Sequence, residues 1–567
     1  MQLGPGYRAS ALRRMRDGPF DAVIVGGGVV GCGTALDAAT RGLDVALVEA
    51  RDFASGTSSR SSKLLHGGLR YLERGRMELV REALRERALL LERLCPHLAH
   101  SVPILLPLAP RSFDRGYLGA GVALYDLLGG HRDVPRHRHL TRGAALRMAP
   151  GLRPDAISGG ILIHDGQVDD ARHTVALART AAHYGATVLS SARAETFLGE
   201  HERVEGVRVR DLESDDELEI RGRVTINATG VWSDELLTTL GRPSPFHIRA
   251  SKGVHLVVPR DRIQSEAGLL LRTESSVLFV LPWASHWLVG TTDTPWDLDL
   301  AHPAATRADI EYLLEHVNPI LCSPLGGDDV VGVYAGLRPL LARATGQTSE
   351  LSRRHAVGSP APGLVAVAGG KFTTYRVMAR DAVDAAAEHL GGSIAESCTH
   401  EVPLLGAEGW RSLQNARHRL AERSGLDVAW IGHLLGRYGS EATALLEMIA
   451  AVPELGRPVP GAEGYLAAEV RWAVAAEAAL HVDDVLTRRT RISIETEDRG
   501  VAAVRPVAQL MAPVLGWSEF EIEREIAAYR SRVQAERASQ EQLTDELADF
   551  TRTAAADLRA PSTAGAR

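Results

Sequence analysis

Gly26, Gly28 and Gly31 form a G-x-G-x-x-G run, and Glu49 follows 18 positions after its last glycine. The chemistry open to that spacing is the binding of a dinucleotide pyrophosphate. The first glycine permits a tight turn, the second lets backbone approach the phosphates, and the third lets a helix pack close to a strand. The phosphate charge then meets the N-terminus of that helix. A carboxylate at the offset of Glu49 reaches a ribose hydroxyl and repels a 2′-phosphate, which disfavours NADP and leaves NAD and FAD open. The segment that follows, RDFASGTSSRSSKLLHGG (51–68), separates those two. Its small hydroxyl side chains can donate to phosphate and ribitol oxygens, and its paired glycines let backbone lie flat against a ring. An elongated, phosphate-bearing ligand that continues past the first helix fits FAD better than NAD.

Positioning these groups takes a strand, a turn, a helix and a second strand. Val23–Val25 is a β-branched run, an Ala- and Leu-rich stretch ends near Gly42, and a second apolar run, Val45–Val48, finishes on Glu49. This is a βαβ unit. His173–Phe197 reads as helix then strand, with Asp169 and Asp170 where an N-cap belongs. Residues 202–230 read as a hairpin and a strand ending at Asn227–Gly230, and Ser251–Thr294 holds short β-rich pieces of a substrate-facing antiparallel sheet. Gly363–Leu390 returns to strand, glycine turn and helix, so the dinucleotide fold is assembled from separated segments. From Glu401 the periodicity is helical, as in Leu466, Val470 and Val474. The expected class is α/β (α+β overall): a Rossmann-like FAD-binding domain (about 21–105, 160–245 and 340–400) interleaved with an antiparallel-sheet substrate domain (about 106–159 and 246–339). A helical domain follows over 401–548, between a loose N-terminal extension, 1–20, and a disordered tail, 549–567.

Bulk properties agree with two or three domains in 567 residues. The chain is 45% apolar and 24% charged, as soluble globular proteins are. With 64 Lys and Arg against 71 Asp and Glu, nothing suggests nucleic acid as a partner. Cys32, Cys95, Cys322 and Cys398 form no CxxC pair, so no cysteine metal site or iron–sulfur cluster is expected, and the sparse spacing suits a reducing cytosol. No run of 18 apolar residues predicts a spanning helix, and the first 20 residues lack the apolar core of a signal peptide.

The stretch VIVGGGVVGCGTALDAATRGLDVALVEARDFASGTSSRSSKLLHGGLRYLE is followed in order by VDDAR, INATGVWSD, SKGVHLVVP, GTTDT, YAGLRPL and GGKFTTYR. From Asp21 to Arg376 this series resembles the FAD-dependent glycerol-3-phosphate dehydrogenases, within the broader flavoprotein family of D-amino-acid and sarcosine oxidases. SSKLLHGGLRYLE and GGKFTTYR carry the narrower resemblance; the glycine fingerprint and NATG carry the broad one. The resemblance implies oxidation of sn-glycerol 3-phosphate to dihydroxyacetone phosphate, with hydride passing from C2 to flavin N5 and electrons then going to a membrane quinone. It implies non-covalent FAD, with His66 bearing no tether. The FAD contacts it implies are Gly26, Gly28, Gly31, Glu49, Thr57, Ser58, Ser62, Lys63, Leu65, Ala194, Gly230, Gly370, Lys371 and Thr373. A glycerol-3-phosphate oxidase using O2, a non-catalytic FAD-binding scaffold or sensor, and an amine oxidase on the shared fold are the alternatives.

Such a substrate needs cations for its phosphate and a base for its C2 hydroxyl. Candidates stand beside glycine turns: Arg70 after Gly67–Gly68, Arg338 after Gly336, Lys371 after Gly369–Gly370, and His255 just past Gly253. Arg338 and Lys371 are assigned to the phosphate and the flavin edge, Arg70 and Tyr71 to substrate positioning, and His255 to the base. Quinone lies in lipid, so a peripheral contact on the inner face of the cell membrane is expected. Arg115–Arg142 sets Leu118, Val122, Leu124 and Leu127 before Arg132, Arg136, Arg138 and Arg142; a core helix with a basic loop reads equally well. Arg488, Arg489 and Arg491 read as a solvated face. A homodimer is left open.

Overall fold

In the computed structural model the described residues are 1–559, less 74, 110–113, 130–133, 200–202, 242–245, 274–276 and 342–354; the side chains of Arg70, Glu73 and Asp114 also lie outside them. Aliphatic runs form a parallel sheet in the order Leu364–Gly369, Glu217–Asn227, Phe20–Val25, Val45–Val48 and Thr187–Leu189, with His355–Ala361 added antiparallel at one edge. All four residues of Val45–Val48 are buried, because parallel strands are covered on both faces. Helices Val29–Thr40, Asp170–His183 and Tyr375–Leu390 cover one face, joined by Leu90, Leu94 and Leu98. The other face meets a meander of Ala192–Leu198, Gly206–Asp211 and the start of Glu217–Asn227.

The expected loose extension at residues 1–20 is instead a helix, Pro5–Asp17, with Ala11 and Met15 buried in that second face. Its Arg8 pairs with Asp211. The sequence hides this because the helix is Arg-rich and buries only a narrow stripe.

Among the described residues a second sheet holds ten strands, including Ile248–Pro259, Val277–Trp283, His286–Gly290 and Gly332–Leu341. Helices Arg142–Met148 and Arg307–Val317 pack on one of its faces. Ala99–Leu108 and Gly159–Val168 form an unbroken ten-residue antiparallel ladder within this same sheet. The expected divisions at 105/106 and 159/160 therefore do not follow the sheets. A strand's own residues do not record which sheet it joins; its ladder partners do.

Trp410–Asn415 through Asp545–Thr553 is mostly helical and holds two apolar clusters, one around Leu434 and Trp472 and one around Val485 and Met511. Arg488, Arg489 and Arg491 are not a solvated face: their side chains are 7%, 0% and 3% exposed. Arg488 and Arg489 both grip Asp52, and Arg491 bonds Asp169 and Asp170. Burial of three guanidiniums is sustained here because each meets a buried carboxylate. The expected disordered tail is ordered as far as the description runs. Residues 545–553 are helical and Arg559 pairs with Asp484 at 2.7 and 2.8 Å; residues 560–567 lie outside the described set.

Candidate active site

The strand Phe20–Val25 runs into Gly26, whose φ of +112° suits glycine, and Gly28 caps the helix Val29–Thr40. A Cβ on Gly26 would lie 2.6 Å from the Ala228 carbonyl oxygen, and one on Gly31 would lie 1.8 Å from that of Gly26. The first and third glycines thus make the turn and the close packing required of them. The Val29 N–H donates to Ser58 Oγ at 2.9 Å, which ties the hydroxyl loop to the helix N-terminus. Glu49 ends the second strand and accepts from the Gly27 and Arg51 amides at 2.6 and 2.7 Å. Burial raises its pKa above the ordinary carboxylate value, against those two amides, which lower it.

These groups line one end of a cavity of about 1400 Å³. Gly26, Gly28, Glu49, Thr57, Ser58, Ser62, Ala194, Gly230, Gly370, Lys371 and Thr373 all border it, as do His255, Arg338 and Tyr71. Gly31, Lys63 and Leu65 do not. Lys63 is buried with Nζ 2.8 Å from Asp170, and its backbone is left-handed at φ +58°. Asp170 also accepts from the Ser61 amide and hydroxyl at 2.9 and 2.6 Å. The tight turn so held presents Ser62 to the cavity. Leu65 pairs in the second sheet opposite Gly166. Arg70 opens a short helix, Arg70–Glu73, and its side chain lies outside the described residues.

At the other end, strand Ile248–Pro259 pairs with Gly332–Leu341, setting His255 opposite Tyr334 and Ser251 opposite Arg338. The His255 ring stacks on Tyr334 with centroids 4.8 Å apart and planes 7° apart. Its Nε2 lies 2.8 Å from Ser62 Oγ, and its Nδ1 is sealed from solvent with no hydrogen-bond partner among the described residues. Burial, then the charges of Arg338 and Lys63, push its pKa well below 6.5, so the imidazole is neutral at pH 7. A Cβ on Gly290 would lie 2.4 Å from His255 Cδ2, so the ring fits only over a glycine. Arg338 is extended across Gly253 in the same way: a Cβ there would lie 2.5 Å from Nη2. Its guanidinium donates to Thr291 Oγ1 at 3.0 Å and to the Thr292 carbonyl at 3.2 Å, and pairs with Asp293 at 3.3 Å. Lys371 Nζ stands 3.8 Å over the Tyr71 ring, beside Gly68.

The cavity therefore joins a phosphate cradle to a cationic end with a neutral imidazole. FAD fits the residues present. Gly26 and Gly28 leave the helix N-terminus open to a pyrophosphate, Glu49 borders the cavity where it would meet a ribose, and Gly230 and Gly370 bend at φ +63° and +81° along the wall. Thr291, Thr292 and Asp293 are bordering residues that sequence spacing did not single out by role, although GTTDT was legible as a motif. Arg60, within the hydroxyl loop 51–68 but given no role there, and Arg272, which no pattern in the sequence marks, also border the cavity.

Residues 21–385 match the family described as FAD dependent oxidoreductase, and 397–522 match the C-terminal domain of alpha-glycerophosphate oxidase. A glycerol-3-phosphate dehydrogenase 2 of Mycobacterium tuberculosis is 56% identical over 558 residues, 98% of this chain and 95% of that protein. The mitochondrial glycerol-3-phosphate dehydrogenase of Mus musculus is 36% identical over 95% of this chain and 77% of its own length. The crystal structure of a Bacillus halodurans glycerol-3-phosphate dehydrogenase complexed with FAD superposes with a TM-score of 0.77 at 29% identity, covering 94% of this chain and 98% of that one.

Proposed function

The chain belongs to the FAD-dependent oxidoreductases, in the glycerol-3-phosphate dehydrogenase family, and from that premise we propose that it oxidises sn-glycerol 3-phosphate to dihydroxyacetone phosphate. The observation that carries this reading is the meeting of Arg338, His255 and Lys371 on the same cavity as the glycine cradle. FAD, when bound, accepts the hydride released from C2. Arg338 and Lys371 seat the phosphate, and Tyr71 backs Lys371. His255 takes the C2 hydroxyl proton. Because Nδ1 is sealed, the proton arrives at Nε2, the nitrogen that meets Ser62 Oγ. Burial, and after it the charge of Arg338, makes His255 a poor base in the free enzyme; a substrate phosphate on Arg338 offsets that charge and raises the proton affinity of the ring as the site fills.

The electron acceptor in this proposal is a membrane quinone, reached by a peripheral contact. Among the described residues no helix is long and apolar enough to cross a membrane. Helix Asp114–Gly129 leaves Tyr117 and Leu127 58% and 77% exposed, while its Leu118 borders the cavity. Its basic flank is partly engaged, since Arg142 donates to the Pro154 carbonyl; Arg132 lies outside the described residues.

An anaerobic titration of the FAD-loaded protein with sn-glycerol 3-phosphate tests the reading. Loss of the oxidised-flavin absorbance is expected. No bleaching by this substrate would sink it. Reoxidation then identifies the acceptor: quinone reduction without peroxide supports the dehydrogenase, and stoichiometric peroxide supports an oxidase.

A further inference from the structure

A second cavity of about 150 Å³ lies between loop 51–60 and the C-terminal helices. That space corresponds to about five waters. Most arginines of its wall are matched to a carboxylate. Arg51 pairs with Asp557, and Arg559 pairs with Asp484 at 2.7 Å. Arg532 pairs with Asp483 at 3.1 Å and Glu536 at 2.8 Å. Arg552 shares that same Glu536 at 3.5 Å.

Arg60 is different. Among the described residues its guanidinium makes one hydrogen bond, Nη1 to the Ala301 carbonyl at 3.1 Å, and no ion pair. Burial, and then the charges of Arg552, Arg488, Arg51 and Arg532, lower its pKa to about 9. A guanidinium carries five N–H donors, so the half-buried Arg60 head can take further acceptors from the cavity. Arg552, dividing one carboxylate with Arg532, also has its pKa lowered by burial. The wall thus holds a positive surplus beside space of ionic size.

We propose that this interdomain cavity binds a small multivalent oxyanion, inorganic phosphate or the phosphate end of a phosphorylated metabolite, seated on Arg60 and Arg552. The site borders the cofactor loop. The Arg51 amide holds Glu49, and Arg488, on the same wall, grips Asp52. An anion drawn in here fastens the C-terminal segment that carries Asp557 and Arg559 onto that loop, and so slows loss of FAD. Arg60 also borders the larger cavity, so the test uses FAD-loaded protein, in which the cofactor pyrophosphate is already in place.

The inference rests on the catalytic reading only in placing the other phosphate site at Arg338. FAD-loaded Arg338→Ala is titrated calorimetrically with inorganic phosphate, and in parallel with methyl phosphate, at ionic strength held by chloride. One saturable site is expected, weakened at least about tenfold by adding Arg552→Gln and changed less than about threefold by Arg552→Lys. Phosphate should also raise the temperature of FAD release in Arg338→Ala but not in the Arg552→Gln double variant. Tighter phosphate than methyl phosphate identifies the free ion as occupant; the reverse identifies a monoester. Absence of binding in Arg338→Ala, or equal affinity in the double variant with an intact flavin spectrum, overturns the proposal. If Arg552→Gln fails to retain flavin, Arg60→Gln is measured in its place against the same two outcomes. Failure of glycerol 3-phosphate to bleach flavin would count against the catalytic reading alone.

Discussion

At the scale of single residues, the site depends on glycines that let two side chains lie flat. Gly253 admits the Arg338 guanidinium and Gly290 admits the His255 ring. Arg338→Ala should keep bound flavin while kcat/KM for glycerol 3-phosphate falls about 10- to 100-fold, the worth of charge-assisted hydrogen bonds of about 1.5–3 kcal/mol. Gly253→Ala should give the same selective loss, because its methyl displaces the guanidinium without touching the cradle; steady-state kinetics beside a flavin spectrum check both. Unchanged kcat/KM in Gly253→Ala would break the link between that glycine and Arg338. His255→Asn should slow flavin reduction about 10²- to 10⁴-fold in stopped flow, with a smaller change in substrate affinity. An unaltered reduction rate removes His255 as the base. The candidate residues were legible one at a time, since a cation beside a glycine turn is visible in a string of letters. The Ser62–His255 hydrogen bond was not, because it spans 193 positions.

At the scale of elements, the strand–turn–helix signal was strong because β-branched runs and glycines act locally. The hairpin within 202–230 and the return to strand and helix over 363–390 were legible for the same reason, and both form. Asp169 caps its helix by accepting from the Arg172 amide at 3.2 Å, but Asp170 serves instead as a hub for Ser61, Lys63 and Arg491. The clamp of Arg488 and Arg489 on Asp52 joins the C-terminal helices to the cofactor loop. Asp52→Asn keeps the shape and removes the charge, leaving two buried guanidiniums short of a partner. A loss of about 3–5 kcal/mol is expected, seen as a lower Tm and earlier release of FAD. The exposed pair Arg505–Glu523 is the control: Glu523→Gln should leave Tm unchanged. Equal Tm values for the two variants would show that the clamp adds nothing.

At the scale of the whole molecule, buried histidines set the response to acid. Burial lowers the pKa of His97 and His173 to about 3, that of His302 to about 4, and that of His255 in the same direction. The unfolded chain takes up these protons near pH 6.5 and the native protein does not, so their stabilisation is whole above 6.5 and is lost as pH falls. His481, held between Glu213 and Glu525, goes the other way: its pKa is raised to about 9, and its contribution is whole below 6.5 and lost as pH rises through 9. Burial also lowers the pKa of His100, His139, His164 and His286, so the balance predicts a lower Tm at pH 5.5 than at 7.5, each deeply buried histidine counting about 1.4 kcal/mol per pH unit below 6.5. A Tm that holds or rises at pH 5.5 would contradict this balance. Order along the chain settles the nucleotide cradle, the acid at its far strand and the hydroxyl loop, because those depend on neighbours within a few tens of positions. Folding alone settles which sheet takes Gly159–Val168, where Arg338 points, and that three arginines near 490 are sealed against Asp52 and Asp170. Contacts such as Arg489 to Asp52, 437 positions apart, leave no mark on local periodicity, since only packing brings the partners together.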